Sequence, residues 1–125
     1  MVVQTMIKYL LLIPFFSFGQ LDKELHYGCG LLISFMTGEV VYQLTDNNAM
    51  SMSAGFAFGT GAGFAKEEID AVSGKPKSMP DILTTSWGAS HGAICLRVRI
   101  DIGEKRKQRR EDKEFEKLQF LKEII

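Results

Sequence analysis

Small residues recur at every fourth position in three separate apolar stretches of this chain. Gly30, Ser34 and Gly38 form the first series, Gly55, Gly59 and Gly63 the second, and Gly88 and Gly92 the third. Positions four apart share one face of an α-helix, so each stretch reads as a helix with a stripe almost free of side chains. A glycine inside a helix costs about 1 kcal/mol relative to alanine. Close approach of two backbones offsets that cost, as in the small-residue faces of membrane helices. Three such faces predict an all-α fold: a small membrane helical bundle of three glycine-rich antiparallel helices.

The residues between the small ones agree. Leu25–Leu44 is apolar apart from His26, Glu39 and a few hydroxyls. Residues 49–65 carry no charge, and Ile82–Leu96 offers only His91. No stretch alternates with period two, which argues against strands. Phe35, Met36, Met50, Met52, Phe56, Phe58 and Phe64 would leave a soluble bundle little polar surface. Asp46-Asn47-Asn48 and Gly74-Lys75-Pro76-Lys77 read as the two connections. Ser78-x-x-Asp81 fits a capping box with Pro80 in the first turn, and Asp22 is a candidate N-cap for the first helix.

The ends of the chain differ in character. In residues 1–19, Lys8 precedes a short apolar run, and Ser17 and Gly19 have the spacing of a signal-peptidase site. The segment is expected to be a signal peptide cleaved after Gly19, or an N-terminal anchor, although Pro14 and the short run argue against a full span. Residues 20–102 form the expected three-helix membrane domain. Residues 103–125 form a charged helical tail with Phe115, Leu118, Leu121 and Ile125 near one face. Lys plus Arg equals Asp plus Glu at 15 each, so global charge gives no case for nucleic acid. Seven basic residues between Arg97 and Arg110 should keep the tail cytoplasmic and draw it to anionic lipid. Three spans then place residues 20–26 and 66–81 on the outer side of the membrane. Trp87 is read as an interfacial anchor or a packing residue.

The polar residues punctuate the apolar runs. Asp22, Lys23 and His26 open the first, Lys66, Glu67 and Asp70 close the second, and Ser78 and Asp81 open the third. Counting back in fours from Gly30 reaches His26 and then Asp22, and counting on from Gly63 reaches Glu67. In antiparallel neighbours these ends coincide, so one site is expected from three pieces of sequence.

The chemistry of that site is less sharply set. His26 and Glu67 are the candidate catalytic residues, as general base for a small membrane hydrolase acting on an envelope lipid or glycan, but no serine or cysteine has a nucleophile's setting. One histidine without a paired-histidine spacing is a weak metal signal, so neither a metal nor a cofactor is expected. Ionisable groups near a membrane boundary need partners, and Lys23 and Lys66 are at hand. A binding or structural role is the leading expectation, with membrane lipid or an envelope protein as partner. An adaptor role for the tail is a further alternative. Cys29 and Cys95 read as small buried hydrophobes, not as a disulfide framework or metal motif. His91 is expected to bond Ser34, Thr37 or a carbonyl, or to relay a proton to Glu39.

Asp22-Lys23-x-x-His26, Lys66-Glu67-x-x-Asp70, and Ser78-x-x-Asp81 followed by Thr84-Thr85-x-x-Gly88-Ala89-x-x-Gly92 resemble the YfiM-like family of periplasmic or envelope proteins. More distantly they are similar to VanZ-like membrane proteins. The resemblance covers about residues 20–95. It implies a helical membrane-associated envelope protein in which Asp22, Lys23, His26, Lys66, Glu67, Asp70, Ser78 and Asp81 belong together, and it implies no particular reaction. The chain lacks the lipobox of some relatives, and the charged tail is not part of the resemblance.

Overall fold

The computed structural model describes residues 21–125; the expected targeting segment over 1–19 lies outside them. Helix α1 spans Leu21–Thr45, α2 spans Asn48–Val72 and α3 spans Met79–Ile124. The described residues contain no strand, and each helix packs against the other two. Among the described residues, the expectation of an all-α fold with three packed helices holds.

The small stripes are where the helices meet. A methyl group added at Gly59 would lie 2.7 Å from the Ala89 Cβ and 2.8 Å from the Gly30 carbonyl oxygen. One added at Gly63 would meet the Thr85 side chain at 2.8 Å. Gly30 faces the Thr85 backbone, Gly38 faces Leu96 and Ser51, Gly55 faces Ser34, Gly88 faces the Tyr27 carbonyl, and Gly92 faces Leu31 and Ser34. These pairings set α1 and α3 parallel, with α2 antiparallel to both. The buried residues of α2 are Ser51, Gly55, Gly59, Gly63 and Glu67, an unbroken series in fours that ends on a carboxylate. Leu96 and Ile100 fill the opposite end of the bundle.

Because backbones and small residues fill the interior, the bulky apolar side chains point outward. Leu32, Met36, Phe58, Phe64, Leu83 and Trp87 are all more than half exposed. No described helix is long and apolar enough to cross a membrane. The expectation of three spans is therefore without support from these helices. The glycine, serine and threonine that create the packing faces also dilute the apolar content of each helix.

The connections follow local rules. Asp46 adopts a left-handed φ of 51° after α1, and Asn47 caps α2 by accepting the Met50 N–H at 3.0 Å. Gly74, with φ 83°, ends α2: its N–H bonds the Ala71 carbonyl while the Lys75 N–H bonds the Asp70 carbonyl, a Schellman closure.

Three details differ from the sequence reading. Asp22 lies within α1 instead of capping it. Lys66 to Asp70 belong to α2, which runs on to Val72. The charged tail is not a separate helix, because α3 continues through it for 46 residues. At 1.5 Å per residue α3 is about 69 Å long, against about 37 Å for α1 or α2. Every residue from Gly103 onward is exposed.

Candidate functional site

Three helix ends meet where the stripes run out. From α1, His26 is buried and held by its ring. Its Nδ1 lies 3.2 Å from the Thr85 hydroxyl, and that hydroxyl donates its one proton to the Asp81 carbonyl at 2.9 Å. Thr85 must therefore accept from His26, which puts the ring proton on Nδ1. Nε2 is left with its lone pair, aimed at the Lys66 ammonium 2.9 Å away. The Asp22 and Asp81 carboxylates stand 4.0 and 3.9 Å from the same Nε2.

From α2, Lys66 is the hub. Its ammonium lies 3.0 Å from Asp70 and 3.5 Å from Glu67 Oε1. The Asp70 hydrogen bond, with the charges of Asp70, Glu67 and Asp22, raises the Lys66 pKa against a desolvation effect that lowers it. Asp70 is held below the ordinary carboxylate value, first by the Lys66 hydrogen bond and then by the charges of Lys66 and Lys75, against an opposing desolvation effect.

Glu67 is almost completely buried. Its Oε2 accepts the Ser78 backbone N–H at 2.7 Å, at the N-terminus of α3 where unpaired donors and the helix dipole favour a carboxylate. This alters the expected capping box. Ser78 Oγ does accept the Asp81 N–H, at 3.4 Å. The return bond to the Ser78 N–H comes from Glu67, not from Asp81. The Asp81 carboxylate is thereby free to face His26. Glu67 Oε1 is buried without a hydrogen-bond partner; the Lys66 approach is a charge contact only.

The structure thus brings together Asp22, His26, Lys66, Glu67, Asp70, Ser78 and Asp81. Lys23 is half-buried and forms no ion pair among the described residues. Thr85 was missed as a site residue; counting back in fours from Ala89 reaches Thr85 and then Asp81. The threonine hydroxyl beside His26 spends its proton on a backbone carbonyl and is not an activated nucleophile.

Other pairings were misread. His91 bonds the Tyr27 hydroxyl at 2.7 Å through Nδ1 and meets the Trp87 ring edge-on. Glu39 pairs with Arg99 at 2.8 Å and bonds Gln43, so the His91–Glu39 relay is not formed. Ser34 donates to the Ala89 carbonyl. Both cysteines are free: Cys29 is exposed, not buried as expected, and Cys95 is half-buried.

A cavity of about 300 Å³ opens from the cluster between α1 and α2. Asp22, His26, Lys66 and Thr85 form its polar end; Leu25, Cys29, Ile33, Ala62 and Gly63 form the rest of its wall. An apolar hollow of about 470 Å³, lined by Ile33, Ala57, Phe58, Gly61, Ala62 and Ala65, continues it along the same two helices. No protein-family model, curated protein or solved structure matches this chain.

Proposed function

We propose that the protein is a membrane-associated binding module whose α1–α2 groove holds an amphiphile, its polar end at the His26 cluster and its tail along the apolar hollow. One observation carries the reading. The polar cavity and the apolar hollow share Ile33 and Ala62, so a single trough passes from charged to apolar surface within two helices. A site for a small polar metabolite would need no such extension. The outward-facing apolar side chains support the same setting, since contiguous exposed apolar surface on a folded chain marks a partner or lipid surface. The bacterial inner membrane is the proposed location. The cluster faces the periplasmic boundary, and the basic residues from Arg97 to Arg110 lie on the cytoplasmic side, in keeping with the YfiM-like resemblance.

Gly61 offers a clean test. It lines the hollow, and a Cβ added to it meets nothing within 4 Å. Gly61→Leu should therefore fill the groove without disturbing the bundle. Native mass spectrometry of the gently extracted protein should show a co-purifying lipid-sized mass that Gly61→Leu loses. A chain free of adduct, or an adduct unchanged in Gly61→Leu, would refute the reading.

A second role is favoured by the projecting part of α3. Phe115, Leu118, Phe120, Leu121 and Ile124 are exposed on it, which suits an adaptor that presents this helix to a partner protein.

A further inference from the structure

We propose that Asp22, His26 and Asp81 bind a divalent transition-metal ion, of which Zn²⁺ is the best match, on the His26 Nε2 lone pair that the Lys66 ammonium now faces. The site lies at the polar end of the groove but does not depend on an amphiphile being bound there.

Four observations converge. One ligand atom from each of the three residues lies within 4.8 Å of the other two. Zinc–nitrogen and zinc–oxygen bonds of about 2.0–2.2 Å put neighbouring ligands about 3.4 Å apart, so separations of 3.9 and 4.0 Å from His26 Nε2 need only a small contraction. The lone pair of His26 faces the site, while its Nδ1–H is anchored through Thr85 to the Asp81 carbonyl. Such an outer hydrogen bond is what fixes a metal-ligating imidazole in its binding tautomer. Glu67 Oε1 is buried, lacks a hydrogen-bond partner and faces the same ammonium, an unsatisfied acceptor beside the site, although it stands outside the group of mutually close ligand atoms. Finally, Lys66 already serves Glu67 and Asp70, Lys75 also approaches Asp70, and among the described residues the carboxylates of Asp22 and Asp81 pair with no lysine or arginine. A divalent ion would balance that unpaired negative charge better than Lys66 does.

The donor set selects the metal class. One imidazole with carboxylates suits zinc or its transition-metal neighbours, whereas magnesium and calcium prefer oxygen alone. Lys66 is then a built-in competitor. Its side chain is nearly half exposed and already bonded to Asp70, so it can move aside on that anchor as the ion enters. This role separates a metal site from an ordinary ion-pair network. In a network Lys66 holds the carboxylates together; in a metal site its removal improves binding.

The test is calorimetric titration of the full chain in detergent with ZnCl₂ and no added lipid, with MgCl₂ as the control. Cobalt substitution supplies a visible-absorption readout of coordination. We expect one Zn²⁺ per chain and little response to Mg²⁺. Asp22→Asn and Asp81→Asn should each weaken binding at least about tenfold, and Lys66→Met should tighten it about tenfold. Asp22 is largely exposed, so its substitution decides the matter even where His26→Ala fails to fold. Absence of binding below about 1 mM, equal affinity in Asp22→Asn, or no gain in Lys66→Met would each overturn the proposal. None of these results bears on the lipid adduct, so the two readings fail separately.

Discussion

The two halves of α3 share one helix and obey different rules. From Met79 to Ile100 the helix is threaded with small residues. Gly88, Ala89, Gly92 and Ala93 are buried against its neighbours. From Asp101 to Ile124 it is rich in Glu, Lys, Arg and Gln, all good helix formers, and from Gly103 on it is exposed throughout. The first half is a poor helix by intrinsic preference that packing makes stable. The second is a good helix by preference that projects beyond the bundle. Glu104, reached by the Tyr42 hydroxyl at 3.3 Å, marks the boundary between them.

The same substitution should therefore act in opposite directions in the two halves. The largest effect is expected at Gly88. Alanine there would normally favour a helix, but its Cβ would overlap the Tyr27 carbonyl oxygen. Backbone cannot yield as a flexible side chain can, so α1 and α3 must separate. Gly88→Ala should destabilise the bundle by about 3 kcal/mol, read as a lower denaturant midpoint. A neutral or stabilising outcome would mean that the helices are not in backbone contact.

Gly103 provides the counterpart. It lies just past the packed half, and a methyl group there meets nothing within 4 Å. Gly103→Ala should strengthen the helix locally by about 1 kcal/mol, detectable as slower amide exchange around residues 100–106. If Gly103→Ala is instead destabilising, the projecting half has a contact that the bundle does not reveal.

The legible part of this fold is the part that spacing controls. Residues four apart share a face whatever else happens, so the stripes through Gly30, Gly59 and Gly92 and their polar continuations at His26 and Glu67 could be read before any coordinates. Spacing carries no information about which of two neighbouring rows is used. Thr85 and Tyr27 were missed for that reason. Nor does spacing decide how polar groups pair. Glu67, not Asp81, reaches the Ser78 N–H, and this follows from α2 running on past Ala65 to Val72. The tail after residue 102 was read as a separate element because charge was taken as a change of element, although charged residues extend an exposed helix as readily as apolar ones build a packed one. The exposed apolar surface was foreseen as lipid-facing, but the hydropathy of the helices falls short of a span.

A smaller effect concerns the Lys66–Asp70 ion pair, one turn apart within α2. Lys66 has its pKa raised above 10.5 and Asp70 has its pKa lowered below 3.8. The contribution of a raised lysine is complete below its ordinary value and fades as pH climbs through the folded one. The contribution of a depressed carboxyl is complete above its ordinary value and fades as pH falls through the folded one. The difference in stability between the native chain and Asp70→Asn should thus be flat from about pH 5 to 9 and shrink at both extremes. Because the Lys66 side chain is nearly half exposed, the difference should be small and reduced by salt. A difference that changes between pH 5 and 9 would assign the pair to other partners.

The smallest effect should come from the largest change. Removing residues 105–125 takes away 21 positions, none of them buried. It spares Glu104 and its contact with Tyr42. The bundle midpoint should move by less than about 0.5 kcal/mol, the range for surface changes away from structural features. The helical signal should fall only by the share those residues supplied. An adaptor helix fits this expectation, since a segment kept for a partner need contribute nothing to the fold that carries it. Loss of bundle stability on truncation would show that the projecting half folds back onto the packed one. The division between a helix held by packing and a helix held by its own preference would then fail at its boundary.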